Sequence, residues 1–136
     1  LQVSAGSRHG CALKSDGSIE CWGAGATDDD CDWAQHIGSG PFECGQSMPP
    51  EGSFVHLTSG VGHSCALDRE GQIHCWGIDG DPTYDFGQMT GPPAGMWAEV
   101  VAGHFHSRAL DIADDLPCWG IQDGSPADRD QVTETP

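Results

Sequence analysis

The sequence is poor in positive charge. It has 5 lysine and arginine residues against 21 aspartate and glutamate residues, a formal net charge of −16, and Lys14 is its only lysine. Proteins that bind DNA or RNA need cations to displace the counterions around the phosphates, and this surface would repel phosphate instead. The charge balance therefore predicts that nucleic acid is not a partner.

Three further absences narrow the possible functions. Asparagine does not occur, so the chain offers no acceptor for N-linked glycans. No stretch approaches the roughly 18 apolar residues of a membrane-spanning helix. The Gly-x-Ser-x-Gly elbow, the His-Glu-x-x-His helix and the phosphate loop are all missing, and we expect the protein not to be an enzyme.

What the chain does contain is one segment written three times. HGCALKSDGSIECWG begins at His9, HSCALDREGQIHCWG at His63, and a degenerate copy, HSRALDIADDLPCWG, at His106. Each copy follows two small residues and a glycine: SAG, TSG or VAG. A period of about 40 to 50 residues is typical of a propeller or another repeat array.

The first two copies have the pattern of a β-hairpin. A ladder that pairs Cys11 with Cys21 leaves a three-residue turn ending in Gly17, and the second copy repeats this spacing. The last residue of such a turn commonly adopts the left-handed conformation that glycine tolerates. Cysteines that face each other across a ladder are close enough to bond. The register therefore predicts two cross-strand disulfides, Cys11–Cys21 and Cys65–Cys75.

The remaining cysteines do not follow this pattern. Arg108 stands where the first two copies have cysteine, so Cys118 lacks a hairpin partner and is predicted to be a free thiol or an intermolecular bridge. Cys31 and Cys44 lie in a long insert of the first repeat and are predicted to form a third disulfide. The chain has 7 cysteines, which favours an oxidising compartment and hence a secreted protein.

Each repeat is predicted to contain four strands. One strand leads into the small-residue turn, two form the hairpin, and a short outer strand lies around Gln46, Gln88 or Gln131. Four short antiparallel strands make one blade of a β-propeller. The predicted fold is thus all-β, with three four-stranded blades at about 1–50 (with the insert at 24–44), about 51–93 and about 94–136.

The repeats resemble those of the regulator of chromosome condensation family, which form seven-bladed propellers. The resemblance covers essentially the whole chain and rests on the small-residue turn before each histidine, Ala-Leu in each hairpin, the Trp-Gly pairs at 22, 76 and 119, and Gly-Gln at 45–46 and 87–88. The Cys-Trp-Gly form is similar to a secreted bacterial branch. The chromatin and nucleotide-exchange roles of the namesake are not expected here, because no basic patch or exchange-site residue can be matched.

Three blades do not close a ring. Propellers usually have four to eight blades, since closure covers the sheet faces that an isolated blade would expose. We expect the ring to be completed by further blades of a longer protein or by another copy of the chain, two copies giving six blades. An oligomer or a segment of a longer propeller is therefore predicted.

A cluster of acids in the first insert is the best candidate for a metal site. Aspartate oxygens suit Ca²⁺, although the spacing differs from an EF-hand loop and a solvated acidic turn is the alternative. A weaker cluster of the same kind follows the second hairpin. No cofactor is expected to be required, and the candidate ligands are Asp28, Asp29, Asp30 and Asp32, with Asp79, Asp81 and Asp85 as the weaker set.

The recurring histidines and tryptophans are expected to be structural. His9, His63 and His106 occupy one repeat position, so they lie on successive blades, where each ring is expected to hydrogen-bond within its own blade beside the small-residue backbone. The tryptophans of the three Trp-Gly pairs are expected to be core or blade-packing residues for the same reason.

Aromatic residues that do not recur are better candidates for recognition, because aromatic side chains dominate interface hot spots. The predicted binding residues are Trp33, Phe42 and Tyr84. The predicted partner is a protein, a glycan or another copy of the chain. We expect an extracellular structural or adhesive module, or alternatively a soluble secreted binder or inhibitor that acts through loops on one propeller face.

Overall fold

The computed structural model describes residues 1–26, 44–78, 87–89, 92–111 and 116–120. In these ranges the regular structure consists of β-strands, and the predicted all-β antiparallel fold is confirmed. No helix among these residues is long and apolar enough to cross a membrane. The strands are β1 (Gln2–Ala5), β2 (His9–Leu13), β3 (Ile19–Gly23), β4 (Phe54–Ser59), β5 (His63–Asp68), β6 (Ile73–Gly77), β7 (Glu99–Ala102), β8 (His106–Leu110) and β9 (Cys118–Gly120).

The strands form three antiparallel sheets, one for each repeat, ordered β1-β2-β3, β4-β5-β6 and β7-β8-β9. The hairpin register is the predicted one: Cys11 lies opposite Cys21, and the second hairpin repeats it. Gly17 closes the first turn with a φ of 89°, a conformation that disfavours any residue with a Cβ. Both predicted hairpin disulfides are present, Cys11–Cys21 and Cys65–Cys75.

The third hairpin keeps the register but lacks the bridge. Arg108 pairs with Cys118 across the ladder, and Cys118 is a free cysteine. Burial raises the pKa of this thiol, which makes it a poor nucleophile at neutral pH. Cys44 is disulfide-bonded, while its predicted partner Cys31 lies outside the described residues.

The predicted outer strand is wrong at Gln46 and Gln88, which lie in turns. The glycine before each of them adopts a left-handed conformation, with a φ of 69° at Gly45 and 77° at Gly87, and this ends an extended segment. The side-chain oxygen of Gln46 then accepts a hydrogen bond from the backbone N–H of Cys44 (2.8 Å). Gln131 lies outside the described residues, and the predicted blade boundaries remain predictions.

The three sheets stack on one another in chain order. We call the side of a sheet that faces the next sheet in the chain its forward face, and the opposite side its rear face. Strand alternation assigns each side chain to one of them. The first core forms where Cys11 and Leu13 on the forward face of the first sheet meet Leu57, Ala66 and Trp76 on the rear face of the second.

The second core repeats this arrangement one sheet further along. The forward face of the second sheet contributes Cys65 and Leu67, and the rear face of the third contributes Val100, Ala109 and Trp119. Each hairpin disulfide therefore lies in the interface between two sheets, where Cys11 and Cys65 are both 0% exposed.

Candidate interaction surface

A histidine joins each sheet to the next. The Nε2 atom of His9 lies 2.8 Å from the Oγ of Ser64 in the second sheet, and the Nε2 of His63 lies 2.9 Å from the Oγ of Ser107 in the third. The expected hydrogen bond within one blade is therefore wrong. Because alternation places each histidine on a forward face, its ring points to the neighbouring sheet.

Burial keeps these rings neutral. Desolvation lowers the pKa of His63 to about 4, and the neighbouring histidines add to the shift. Burial also lowers the pKa of His9 and of His106. A neutral ring can bond a serine hydroxyl without placing a charge in the core. Among the described residues, no group of three or more histidines, cysteines, aspartates and glutamates could hold a metal ion.

The protonation of His63 predicts a pH dependence of stability. Because its folded pKa of about 4 lies below the usual 6.5 of an unfolded chain, the unfolded state binds more protons between these values. The free energy of unfolding is expected to be highest above about pH 6.5 and to fall as the pH drops towards 4. Urea titrations at stepped pH, with and without His63→Gln, measure this contribution. A variant whose stability depends on pH as steeply as the wild type would contradict it.

A tryptophan makes a second link between successive repeats. The indole N–H of Trp76 donates to the carbonyl oxygen of Gln46 (3.0 Å), and that of Trp119 donates to the carbonyl oxygen of Gln88 (2.9 Å). Both indoles are buried, as expected of core residues. Trp22 departs from this expectation and is 52% exposed, because no sheet covers the rear face of the first repeat within the described part of the chain.

The rear face of the first sheet is open and apolar. Val3 is 68% exposed, whereas its counterparts Leu57 and Val100 are 1% and 0% exposed. A groove of about 370 Å³ runs along this face, and Val3, Gly10 and Trp22 line it. The indole of Trp22 lies over Gly10, where an added Cβ would approach the ring to 2.9 Å.

The forward face of the third sheet is the other open face. No strand of the described ranges packs on it, and its side chains are half-buried, as at Arg108 and Leu110, or exposed, as at Glu99 and Val101. A hollow of about 250 Å³ on this face is lined by Glu99, Val101, Arg108, Leu110 and Leu116. The hollow therefore combines apolar side chains with the guanidinium group of Arg108, which stands where the first two sheets have a disulfide cysteine.

The small-residue turns of the three repeats meet at one edge of the stack. Ala5, Ser59 and Ala102 line a hollow of about 250 Å³ there, together with the glycines that follow them and with His104. The hollow is lined largely by backbone. The three turns approach one another so closely that each repeat keeps a glycine at this position.

The binding and metal candidates from the sequence lie outside the described residues and remain predictions. They are Asp28, Asp29, Asp30, Asp32, Trp33, Phe42 and Tyr84, with Asp79, Asp81 and Asp85. The two open sheet faces agree with the expectation that an arc of three blades leaves sheet faces uncovered. On these faces Gly10 and Arg108 replace the serine and the cysteine found at those positions in the other repeats.

Comparison with known protein families decides the relationship. Residues 1–26 and 54–88 match the sequence model of the regulator of chromosome condensation repeat. These two segments carry the repeat of this family. The predicted resemblance is thereby confirmed in its general form, and it assigns the first two sheets of the stack to regulator of chromosome condensation repeats.

Solved structures show the same propeller architecture. The ectodomain of the receptor kinase CR4 from Physcomitrella patens is 26% identical with a TM-score of 0.60, and the match covers 91% of this chain and 31% of that one. The CRINKLY WD40 ectodomain of the Arabidopsis thaliana receptor kinase ACR4 is 17% identical with a TM-score of 0.57, covering 89% and 36%.

Prp20p from Saccharomyces cerevisiae, whose binding to Gsp1p and histones has been described, is 20% identical with a TM-score of 0.62, covering 91% of this chain and 34% of that one. The chain thus spans about a third of the length of these propellers. Comparison with curated proteins finds no match.

Proposed function

We propose that the chain is an extracellular, non-enzymatic propeller segment that serves as a structural or adhesive module within a larger surface assembly. The observation that carries this proposal is the placement of the two hairpin disulfides inside the interfaces between sheets. A fold whose cores are built around disulfides needs an oxidising compartment to form and to persist.

The charge and the structural relatives support the same setting. A net charge of −16 disfavours contact with nucleic acid and keeps a protein soluble outside the cell. The match to a receptor-kinase ectodomain at 26% identity is consistent with an extracellular role. It also agrees with the secreted Cys-Trp-Gly form of these repeats that the sequence resembles.

The burial of the polar pairs supports a non-enzymatic role. The contacts between His9 and Ser64 and between His63 and Ser107 look like the base and hydroxyl of a hydrolase. However, both serines are 0% exposed, so no substrate can reach either hydroxyl. The histidines hold sheets together, and partner recognition is left to the exposed faces and loops.

Protease treatment of intact cells that make the protein tests this proposal. An antibody against the chain should detect it on the cell surface, and external protease should remove the signal while a cytosolic marker survives. Recovery of the chain only from the medium would favour the soluble binder or inhibitor. A cytosolic or nuclear protein with reduced Cys11 and Cys21 would contradict both.

A further inference from the structure

We propose that the interface between the second and third sheets is an acid-sensitive switch, in which protonation of the buried His63 ring separates these two sheets while the first interface stays closed. The switch is a property of one described interface and does not depend on where the protein acts. It goes beyond a loss of overall stability in acid, because it places the response to pH at a single contact between sheets.

The ring of His63 occupies a closed site between the two sheets. Its Nε2 lies 2.9 Å from the Oγ of Ser107 in the third sheet. Its opposite edge lies against Gly60, where an added Cβ would come within 2.9 Å of Nδ1. The backbone N–H of Gly60 donates to the carbonyl oxygen of His63 (2.8 Å), so the turn closes around the ring. Because His63 is 0% exposed, solvent does not reach either nitrogen.

Only a neutral ring fits this site. Among the described residues, the Nδ1 of His63 is buried without a hydrogen-bond partner, while Nε2 has the serine hydroxyl beside it. A protonated imidazole carries an N–H on both nitrogens, and the second N–H would face Gly60 without an acceptor. A buried charge with an unsatisfied donor is much less stable than a buried neutral ring. The ring must therefore leave this site when it binds a proton.

The charges that act on this ring oppose its protonation. Within the described part of the chain they belong to His9 in the first sheet and His106 in the third, and both are basic. Arg108, also in the third sheet, acts in the same direction on His106. The three histidines thus form a row through the stack in which a proton on one ring disfavours a proton on the next. Separation of the sheets returns the ring to water and removes this repulsion.

The strands packed on β5 bring no carboxylate to the ring. On β6, His63 pairs with Gly77, which has no side chain. On β4, His56 is a further basic group, and it pairs with Leu67 three positions from Ser64 along β5. Glu99 on β7 lines the hollow on the opposite, forward face of the third sheet. Within these strands, no acid is therefore placed to hold a charged ring in the interface.

The first interface is better supported than the second. Ser64 lies beside His9 as Ser107 lies beside His63, but the hydroxyl of Ser64 also donates to the Oγ of Ser59 (3.0 Å). Ala102 stands at the position of Ser59 in the third sheet, so the second interface lacks this hydrogen bond. Disulfides hold the first and second hairpins together on either side of the first interface. Local opening in acid should therefore begin between the second and third sheets.

Hydrogen exchange of two buried indole N–H groups tests the switch in the unmodified chain. The indole of Trp119 bonds the carbonyl oxygen of Gln88 and reports on the second interface, whereas that of Trp76 reports on the first. The protection factor is the exchange rate of a free indole divided by the observed rate at the same pH. His63 has a folded pKa of about 4, against the usual 6.5 when unfolded, so protection of Trp119 should fall roughly a hundredfold from pH 7 to pH 4. Protection of Trp76 should fall less.

Substitution of His63 identifies the titrating group. In His63→Gln the amide can still donate to the hydroxyl of Ser107 but does not titrate, so protection of Trp119 should change by less than about threefold over this range. His74→Gln is the matched control, because His74 is exposed and bonds Asp68 outside the interface. This control should keep the hundredfold loss. An equally large loss in wild type and His63→Gln would overturn the proposal, as would wild-type protection that does not change with pH.

Two readouts on the wild-type chain keep the test independent of whether a variant folds. Equal losses of protection at Trp76 and Trp119 would mean that acid unfolds the whole stack, and this would overturn a switch at one interface. Correlation spectra of the ¹⁵N-labelled histidine rings follow the proton itself. The doubly protonated form of His63 should appear only as Trp119 loses protection. A doubly protonated ring beneath a fully protected Trp119 would show that the closed site accepts the charge, and would also overturn the proposal.

Discussion

Removal of the second hairpin disulfide, by Cys65→Ala together with Cys75→Ala, is expected to lower the free energy of unfolding by about 2–4 kcal/mol. The bridge restricts the unfolded chain. Cys65 also packs against the core that Leu67, Val100 and Trp119 build between the second and third sheets. Truncation therefore also removes contacts of the folded state. Guanidinium titration followed by tryptophan fluorescence measures the change, because Trp119 is buried in this interface.

Cysteine substitutions in the third repeat provide matched controls. Cys118→Ala removes a sulfur that forms no bridge, so it should shift the unfolding midpoint far less than the double substitution. Arg108→Cys places a thiol opposite Cys118 in the register of the other two hairpins. The number of thiols titrated under denaturing, non-reducing conditions should therefore fall from one in the wild type to none in this variant. An unchanged midpoint after loss of Cys65 and Cys75 would contradict the stabilising role of the bridge.

The hairpins could be predicted from the sequence because their determinants are local. The spacing of Cys11 and Cys21 with Gly17 between them fixes the turn, the turn fixes the register, and the register puts the two sulfurs together. Each of these steps depends on residues within one short segment. The second repeat contains the same information independently and has the same register.

The contacts between sheets were not predictable in the same way. Alternation tells which side chains share a face, but not what lies on that face. The sequence therefore predicts a hydrogen bond of His9 within its own blade, whereas its partner, Ser64, lies in the next sheet. Because Trp22 recurs with Trp76, the sequence predicts a core or blade-packing role for it, although exposure of an indole depends on whether a sheet covers it. Whether a repeated residue is buried therefore depends on the neighbouring sheet as much as on its position in the repeat.

The prediction of an outer strand at Gln46 and Gln88 was wrong for a related reason. The sequence predicts a short outer strand at the Gly-Gln pairs because a similar segment follows the variable stretch after each Trp-Gly pair. The backbone carbonyls of Gln46 and Gln88 instead accept from tryptophan side chains of the following repeat, so their polar groups are satisfied without a ladder. Both partners of this bond recur in the sequence, but recurrence does not tell that they bond to each other.

Because the small-residue turns approach one another closely, we expect Gly60→Ala to lower the free energy of unfolding about as much as loss of the second hairpin disulfide. A Cβ at Gly60 would overlap the backbone carbonyl oxygen of Gly103 in the next repeat as well as the ring of His63. Backbone atoms cannot turn aside as a side chain does, so the second and third sheets must separate. That movement also strains the contact between His63 and Ser107. We expect the free energy of unfolding to fall by about 3 kcal/mol, measured by the same guanidinium titration.

Alanine substitutions at the equivalent glycines, Gly6 and Gly103, distinguish two causes of this loss: contact with the neighbouring backbone and contact with the histidine ring of the same repeat. A Cβ at Gly6 would meet the carbonyl oxygen of Gly60 at 2.5 Å, so Gly6→Ala should cost about as much. At Gly103, the nearest atoms within the described residues belong to the ring of His106, a side chain that is only half-buried and can turn. Gly103→Ala should therefore cost about 1 kcal/mol, the low end of overpacking. Equal losses at Gly60 and Gly103 would mean that the crowding comes from each repeat's own histidine. Unequal losses in the predicted order would show that the glycines are needed because neighbouring backbones touch.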